Sequence, residues 1–241
     1  MTEDRPPAGR VYGRRRGRPL RGGRQALIED LLPRLRLEVP AAGRLDPQAI
    51  FGCPVQAVWL EIGFGGGEHL AWQAAAHPDI GMIGAEVFLN GVASLLAHVA
   101  DAPPANLRLF PDDARALLDA LPDASLDRVF LLFPDPWPKQ RHHRRRFIQP
   151  ANLDRLARIM RDGAELRMAS DHMDYLRWML FHTQRHPDFV WQADGPEDWR
   201  HRTADWPETR YEAKAKARGL RPAYLRFRRR PRAAAAVPER P

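Results

Sequence analysis

Short apolar runs alternate with longer segments of helical period along the middle of this 241-residue chain. This alternation is typical of a mostly parallel β-sheet flanked by helices, because each crossover between parallel strands is long enough to contain a helix. Strands are predicted over Val55–Ile62, Gly81–Glu86, Leu107–Phe110, Leu126–Phe133 and Glu165–Ala169. Helices are predicted near Glu68–Ala76, Asn90–Ala100, Ala114–Ala120, Ala151–Met160 and Asp171–Arg185. The predicted fold class is therefore α/β.

Two later apolar runs, Phe189–Gln192 and Tyr224–Phe227, are predicted to close the sheet as a pair of strands. The polar stretch between them has no readable period. A hydrophobic content of 44% is enough for one core, so a single domain is predicted over residues 25–230. Residues 1–24 are rich in arginine and poor in apolar side chains, and residues 231–241 are rich in alanine and proline. Both ends are predicted to be disordered.

The formal net charge of +8 favours a polyanionic partner, because clustered cations attract phosphate and release its counterions. The arginine-rich arm either contacts RNA or is an idle solvated tail, and the sequence leaves both open. The single cysteine, Cys53, excludes an intramolecular disulfide and fits a reducing cytoplasm. No signal peptide or membrane-spanning run is visible, so a cytoplasmic protein that does not contact membranes is predicted.

A glycine-rich segment lies where the first predicted strand meets the first helix, and it contains Gly63, Gly65, Gly66 and Gly67. Glycines at this position let the backbone approach a ligand closely. A dinucleotide fingerprint would also need glycine at the sixth position from Gly63, where Glu68 stands. A carboxylate there would repel a pyrophosphate. The segment therefore predicts a cofactor without phosphate that contacts Gly63 and Gly65, and S-adenosylmethionine fits.

Three carboxylates follow or end successive predicted strands. Glu61 precedes the glycine segment and is placed to bind an ammonium group, although it could be a plain strand-end charge. Glu86 ends the second strand, where a ribose diol would lie in a nucleoside-binding α/β fold. Asp113 follows the third strand and could accept from an adenine amine, or it could be only a helix N-cap.

The segment Phe133-Pro134-Asp135-Pro136-Trp137 comes directly after the fourth predicted strand. Prolines on both sides of Asp135 restrict the backbone, so its carboxylate is expected above the crevice with a stacking face nearby at Trp137. Lys139 is one of three lysines among 38 basic residues, which suggests a local need for a compact ammonium. The following run Arg141–Arg146 is either an RNA contact or a solvated helix start. The histidines show no metal-ligand spacing, so no metal is predicted.

This segment and its basic run resemble the Phe-Pro-Asp-Pro-Trp loop of the tRNA (guanine-N7)-methyltransferases, over roughly Arg24 to Arg229. The resemblance implies a Rossmann-like class I methyltransferase fold in which Asp135 is catalytic and contacts the cofactor. It also implies that Glu61, Glu86 and Asp113 bind the cofactor and that Lys139 contacts the substrate. Further substrate-binding positions are matched by Asp171, Thr209, Arg210, Tyr211 and Glu212. Arg210 departs from the pattern, because the family has a lysine there.

The resemblance implies methyl transfer from S-adenosylmethionine to N7 of guanine at position 46 in the variable loop of tRNA, which forms 7-methylguanosine. Two other interpretations stay open. One is a methyltransferase for another substrate, and the other is a non-catalytic RNA-binding protein with this fold. Intact Glu61, Glu86, Asp113 and Asp135 speak against a pure binder, because crevice carboxylates repel RNA. The tRNA-binding enzyme is expected to be a monomer or a homodimer.

Overall fold

The structure is a computed structural model, and it describes residues 15–40, 44–205 and 207–233. In this part of the chain the α-helices are α1 (Gly22–Asp30), α2 (Leu32–Leu35), α3 (Glu68–Ala76), α4 (Leu89–Val99), α5 (Ala114–Ala120), α6 (Pro150–Ile159), α7 (Met173–Arg185), α8 (Glu197–Arg200) and α9 (Arg210–Ala217). The strands are β1 (Ala57–Ile62), β2 (Ile80–Ala85), β3 (Leu107–Phe110), β4 (Leu126–Leu132), β5 (Met160–Ser170), β6 (Phe189–Trp191) and β7 (Ala223–Arg229). A short 3-10 helix spans Gln140–Arg145.

The described strands form one sheet in the order β3-β2-β1-β4-β5-β7-β6. Neighbouring strands from β3 to β5 are parallel, and β7 is antiparallel to both β5 and β6. The strand order reverses between β1 and β4, since β2 and β3 extend the sheet in one direction and β4 and β5 in the other. Ligands of open α/β sheets bind beyond the carboxyl ends of the strands at such a reversal.

The α/β prediction is confirmed, and each predicted strand and helix is present with ends that differ by a few residues. The closing pair is confirmed as β6 and β7. The polar stretch between them contains the short helices α8 and α9, which the sequence pattern did not reveal. Helix α1 was also missed, because it begins with two glycines and buries none of its residues fully.

Apolar side chains pack on both faces of the sheet, which explains why its inner strands read as nearly continuous apolar runs. Five of the six residues of β1 are buried. One core cluster includes Leu60, Val129 and Leu166, and a second includes Met82 and Phe130. This double cover fixes the strand ends, and therefore the loops that follow them, as a rigid platform.

The folded domain begins before residue 25, so the predicted end of the disordered arm at residue 24 is wrong. The Gly17 amide donates to the Asn90 side chain (2.8 Å), and the Leu89 amide donates to the Arg15 carbonyl (3.0 Å). Backbone groups of Arg15 and Gly17 thus form hydrogen bonds at the start of α4. These bonds order the segment although it contributes few apolar side chains to the core. Residues 1–14 lie outside the described residues, and their predicted disorder stays a prediction.

The domain also continues past residue 230. The Arg232 guanidinium donates to the carbonyls of Ala157, Arg158 and Met160 at the end of α6. These contacts tie residues 231–233 to the domain, because the last carbonyls of a helix lack partners within it. Residues 234–241, the rest of the predicted tail, lie outside the described residues. Among the helices that the structure describes, none is long and apolar enough to cross a membrane.

Candidate active site

A cleft of about 1450 Å³ opens beyond the carboxyl ends of β1, β2, β3 and β4. It lies at the reversal of strand order, as expected for this sheet. The predicted site residues that line the cleft are Glu61, Gly63, Gly65, Glu86, Asp113, Asp135, Thr209 and Tyr211. The predicted residues that do not line it are Lys139, Asp171, Arg210 and Glu212. The structure therefore brings every residue predicted to bind the cofactor into one cavity.

The glycine loop after β1 needs glycine for two different reasons. Gly63 has a φ of 70°, and a side chain at this position would project into space with no atom within 4 Å. Gly65 has a φ of 57°, and an added Cβ would lie 2.9 Å from the Tyr211 ring. The first position is open for a ligand, whereas the second permits the close packing of Tyr211 from α9 over the loop.

Glu86 is buried at the end of β2 and joins two loops. Its Oε2 accepts from the Gly65 amide (2.8 Å), and its Oε1 accepts from the Phe88 amide (2.8 Å). Desolvation raises the pKa of the Glu86 carboxyl, against the opposite effect of these amides. Each carboxylate oxygen can accept more than one hydrogen bond, so both retain capacity for a ligand hydroxyl.

Glu61 is buried at the end of β1 and is held by a histidine that the sequence analysis missed. The His69 Nδ1 lies 2.7 Å from Glu61 Oε2, and the His69 Nε2 lies 3.1 Å from the Gln73 side chain. Gln73 in turn donates to the Asp205 carbonyl (2.9 Å). This chain of hydrogen bonds orients the Glu61 carboxylate. The sequence offered little reason to single out His69, because a lone histidine in a helix has no specific function in most proteins.

Asp113 is already engaged within the protein. It caps α5 by accepting from the Arg115 amide (3.1 Å), and it accepts from the Arg115 guanidinium (2.9 Å). The N-cap interpretation is therefore confirmed for Asp113. The adjacent Asp112 accepts from the Asp113 amide (2.8 Å) and pairs with Arg15 (2.7 Å). Arg15 lines the cleft, so the residues before α1 form part of its wall.

Asp135 stands on a strained loop after β4. Phe133 and Trp137 have φ values of 51° and 43°, in the left-handed region that these residue types rarely adopt. Such strain persists only where the surroundings enforce it, and it concentrates at functional sites. The Asp135 carboxylate faces the cleft and has no hydrogen-bond or ion-pair partner among the described residues. Asp135 is exposed to the open cleft, and the protein around the cleft still desolvates its carboxyl enough to raise the pKa.

Arg146 anchors this loop by a buried contact, a role that neither interpretation of the basic run, an RNA contact or a solvated helix start, predicted. Its side chain is fully buried, and its Nε donates to the Pro136 carbonyl (2.9 Å). Its Nη2 pairs with Asp174 at the start of α7. The guanidinium also lies 5.0 Å from the ring centroids of both Tyr175 and Trp178. The peptide that follows Asp135 is therefore bonded to a buried cation.

Three of the predicted substrate residues, Lys139, Asp171 and Arg210, lie outside the lining of the cleft. Lys139 is exposed at the start of the 3-10 helix. Asp171 is half-buried just after β5. Arg210 lies 3.6 Å from Glu68, and its guanidinium sits 5.6 Å from the Tyr211 ring centroid. Arg210 can therefore supply a cation at the glycine loop despite differing from the family's lysine.

The Thr209–Glu212 element begins α9. The Thr209 hydroxyl accepts from the Glu212 amide (3.2 Å) and caps the helix. Glu212 is only 1% exposed and pairs with Arg202 (3.2 Å) and Lys216 (2.7 Å). Its carboxylate pairs with both cations inside the protein, and its predicted contact with the substrate stays a prediction. Glu212 instead stabilises the helix that presents Tyr211.

A search of the described residues finds no group of three or more histidine, cysteine, aspartate or glutamate side chains that could hold a metal ion. The predicted independence from metal stays a prediction.

Comparisons with known proteins agree with the chemistry of this cleft. Residues 55–223 match the sequence profile of a family described as a putative methyltransferase. A tRNA (guanine-N(7)-)-methyltransferase of Rhodospirillum rubrum is 58% identical over 237 residues, which cover 97% of this chain and 93% of that protein. A tRNA (guanine-N(7)-)-methyltransferase of Brucella anthropi is 52% identical over 233 residues, which cover 95% of this chain and 100% of that protein.

The chain belongs to the tRNA (guanine-N7)-methyltransferase family. The resemblance inferred from the segment around Asp135 is therefore confirmed. The profile match contains every predicted site residue from Glu61 to Glu212, and it also contains His69 and Arg146.

Solved structures show the fold of this family member at much lower identity. The 16S rRNA (adenine(1408)-N(1))-methyltransferase from Catenulisporales acidiphilia has a TM-score of 0.52 at 16% identity, covering 81% of this chain and 99% of that one. The 16S rRNA methyltransferase KamB has a TM-score of 0.51 at 16% identity, covering 73% of this chain and 89% of that one. The Rossmann-like class I methyltransferase fold is confirmed.

Proposed function

We propose that this chain transfers a methyl group from S-adenosylmethionine to N7 of guanine 46 in the variable loop of tRNA, forming 7-methylguanosine. The observation that carries the proposal is the meeting of Asp135, Glu86 and the glycine loop in one cleft of a chain that belongs to this family. tRNA is then the partner, and the cytoplasm is where the reaction takes place.

The residues of the cleft fit S-adenosylmethionine. Gly63 leaves open space beside the backbone, and Glu86 offers two acceptor oxygens that match two ribose hydroxyls. The buried Glu61 supplies negative charge for an ammonium group. Glu68 also lines the cleft, so a pyrophosphate would meet like charge beside the glycine loop. This set of charges favours a cationic nucleoside cofactor over a dinucleotide.

When bound, S-adenosylmethionine supplies a methyl group activated by its sulfonium. The protein's task is then mainly positioning, because guanine N7 carries a free lone pair and no proton must leave first. Holding the reacting atoms in line contributes about 7–11 kcal/mol in favourable cases. The Asp135 carboxylate faces the cleft from a strained loop, where it orients the base and stabilises the positive charge of the methylated guanine.

The proposal is tested by incubating the protein with bulk tRNA and radiolabelled S-adenosylmethionine and then mapping the labelled nucleoside. We expect 7-methylguanosine at position 46. Label at another nucleoside would indicate a methyltransferase for a different RNA atom. tRNA binding without any label would indicate the non-catalytic RNA-binding interpretation.

Cofactor choice gives a separate prediction. Calorimetry is expected to show binding of S-adenosylmethionine and none of NAD. Glu86→Gln should weaken cofactor binding by about 1.5–3 kcal/mol, because a glutamine offers one acceptor oxygen where two now serve Gly65, Phe88 and the ligand. Glu38→Gln is the matched control, since Glu38 is exposed outside the cleft. NAD binding, or equal affinities for the two variants, would contradict the cofactor assignment.

The N-terminal arm gives a prediction about tRNA. Removing residues 1–14 should weaken tRNA binding and lower its salt dependence, by about 0.7–0.9 in the log–log slope for each lost arginine–phosphate contact. Cofactor affinity should not change. Removal of residues 1–23 would also delete Arg15, which lines the cleft, and is therefore expected to affect both ligands. An unchanged slope in a salt titration of the shorter deletion would identify the arm as an idle tail.

A further inference from the structure

An exposed stripe runs along α7 on residues spaced by four: Met173, Arg177, Phe181 and Arg185. Residues at this spacing lie on one face of a helix. Met173 and Phe181 expose 44% and 53% of their surfaces, which places them among the few large apolar side chains that the described protein leaves in solvent. Arginines and large apolar groups thus alternate along a single surface, which we call the α7 stripe.

The α7 stripe is connected by ring contacts to the 3-10 helix that follows the loop of Asp135. The His143 ring, from the 3-10 helix, packs edge-on against Trp178 with centroids 5.4 Å apart. Trp178 packs on His182 (4.3 Å), and His182 packs on Phe181 (5.2 Å). The Arg185 guanidinium lies 4.6 Å from the Phe181 centroid. These rings form an unbroken row from the loop after β4 to the end of α7.

The charge of this surface is positive. Arg177 and Arg185 are exposed, and the 3-10 helix adds the exposed Arg141 and Arg144 at the upper end of the row. Asp174 is the acid within α7, and it is paired with Arg146 and lies 3.8 Å from His143. Asp171 is half-buried before the helix, and Asp188 lies beyond its other end near Arg229. Asp154 is exposed beyond the end of the helix and pairs with His186 (3.1 Å). Asp174 is exposed too, but it is held by Arg146, and among the described residues no carboxylate lies within ion-pair distance of Arg177 or Arg185.

We propose that the α7 stripe is a docking surface for the RNA substrate, in which Arg177 and Arg185 bind phosphates and Phe181 stacks on an unpaired base. The inference rests on the proposed function, because it assigns to tRNA a surface adjoining the cleft. Arginine and exposed aromatic rings are the side chains that hold single-stranded segments of RNA. The row of rings leads from this surface to the 3-10 helix that follows the loop of Asp135.

A second copy of the chain is a poorer occupant. In a twofold contact the same patch meets itself, so the arginines of two copies would be gathered in one interface without added carboxylates. The phosphates of RNA neutralise these charges instead, and the partly covered Phe181 ring keeps one face for stacking.

The test measures tRNA binding by fluorescence anisotropy over a range of salt concentrations, with cofactor affinity and thermal unfolding recorded for each variant. Phe181→Ala should weaken binding by about 5- to 150-fold, the equivalent of one stacked base. Phe181→Leu keeps apolar bulk without the ring, so it should not restore affinity. Arg177→Gln and Arg185→Gln should each lower the salt slope by about 0.7–0.9. Arg34→Gln is the matched control, because Arg34 is exposed on α2 beside β3, at the opposite edge of the sheet.

Light scattering on the same variants separates the outcomes. If the wild type methylates tRNA while the three α7 positions tolerate substitution without loss of binding, the docking surface is wrong and the proposed function stands. If Phe181→Ala changes the oligomeric state, and Phe181→Leu restores both that state and tRNA binding, the stripe joins two copies of the chain. A wild type that neither binds nor methylates tRNA would overturn the proposed function and this inference together.

Discussion

Replacing Asp135 by asparagine is expected to raise the barrier to methyl transfer by about 2–4 kcal/mol, the range found for other preorganised electrostatic contacts. Asparagine keeps the size of the side chain and most of its hydrogen bonding but removes its charge. The cationic product then loses its nearest stabilising carboxylate. Cofactor affinity should change far less, because Glu61 and Glu86 lie at the ends of two other strands, β1 and β2.

The methylation rate of the wild type should depend on pH through the ionisation of the Asp135 carboxyl group. Desolvation raises the pKa of Asp135, so its protonated form appears at a higher pH than for an ordinary aspartate. If the ionised form is the active one, the rate falls as the pH drops through this raised pKa. Above it the rate is flat through neutral pH, because N7 has no proton to lose. Asp135→Asn should weaken the acidic limb, and any limb that remains at saturating cofactor is expected to come from Glu86, whose pKa is also raised by burial.

Ionisation of Asp135 is expected to support activity but to lower the stability of the fold. A carboxyl whose pKa is higher in the folded state than in the unfolded state favours folding when protonated and opposes it when ionised. Asp135→Asn should therefore leave the melting temperature at neutral pH unchanged or slightly higher. Single-turnover methylation and thermal unfolding across pH measure both effects. Asp101→Asn, at an exposed position after α4, is the control.

A fully active Asp135→Asn protein would show that Trp137, Lys139 and the shape of the tRNA suffice for catalysis. A large loss of melting temperature would instead show that Asp135 supports the fold. Full activity would remove Asp135 from the catalytic role, whereas a large loss of melting temperature would overturn the predicted effect on stability.

The fold was predictable because apolar periodicity reports directly on burial. The strands β1 to β4 are covered on both faces, so their sequences are short continuous apolar runs, and the helices between them show the helical period. The glycine segment and Glu86 were readable for a related reason. Their positions relative to the strand ends place them at the carboxyl edge of a parallel sheet, whatever the detailed packing.

Other parts of the site depend on contacts between distant segments, which leave little local signal. Arg15 reaches the cleft only because the backbone before α1 is bonded to the start of α4. Tyr211 covers Gly65 across more than a hundred residues of chain. Glu212 looked like a substrate ligand beside Tyr211, but helix geometry turns it toward the interior, where Arg202 and Lys216 enclose it.

Arg146 is the clearest case of a role that sequence could not reveal. Three consecutive arginines are indistinguishable in the sequence, yet Arg144 is exposed and Arg146 is fully buried in the structure. The difference arises because Phe147 and Ile148 turn the chain inward, and their amides both donate to the Tyr175 hydroxyl on α7. Burial of Ile148 draws the preceding guanidinium under the loop of Asp135.

Substitution of Arg146 should therefore slow catalysis without weakening cofactor binding. Arg146→Met leaves the Pro136 carbonyl without its buried donor, at a cost of about 1–3 kcal/mol in the free energy of unfolding. The loop with positive φ values at Phe133 and Trp137 is then free to relax, so kcat should fall by at least about tenfold, as expected when a reacting group is misplaced by a fraction of an ångström. The dissociation constant for S-adenosylmethionine should stay within about twofold of the wild type, because the change lowers kcat rather than binding.

Replacing Arg146 by lysine tests whether the position needs the shape of the guanidinium or only a positive charge. Arg146→Lys keeps the cation, but a single ammonium cannot bond to Pro136 and Asp174 while lying flat against Tyr175 and Trp178. Its kcat should remain low.

Arg144→Lys, at the exposed position two residues earlier, should retain full activity, because a phosphate contact needs only a charge. Added guanidinium ion should partly restore the rate of Arg146→Ala by entering the vacated space. Wild-type kcat in Arg146→Lys, or a loss confined to KM for tRNA, would show that Arg146 acts on RNA binding and does not hold the Asp135 loop.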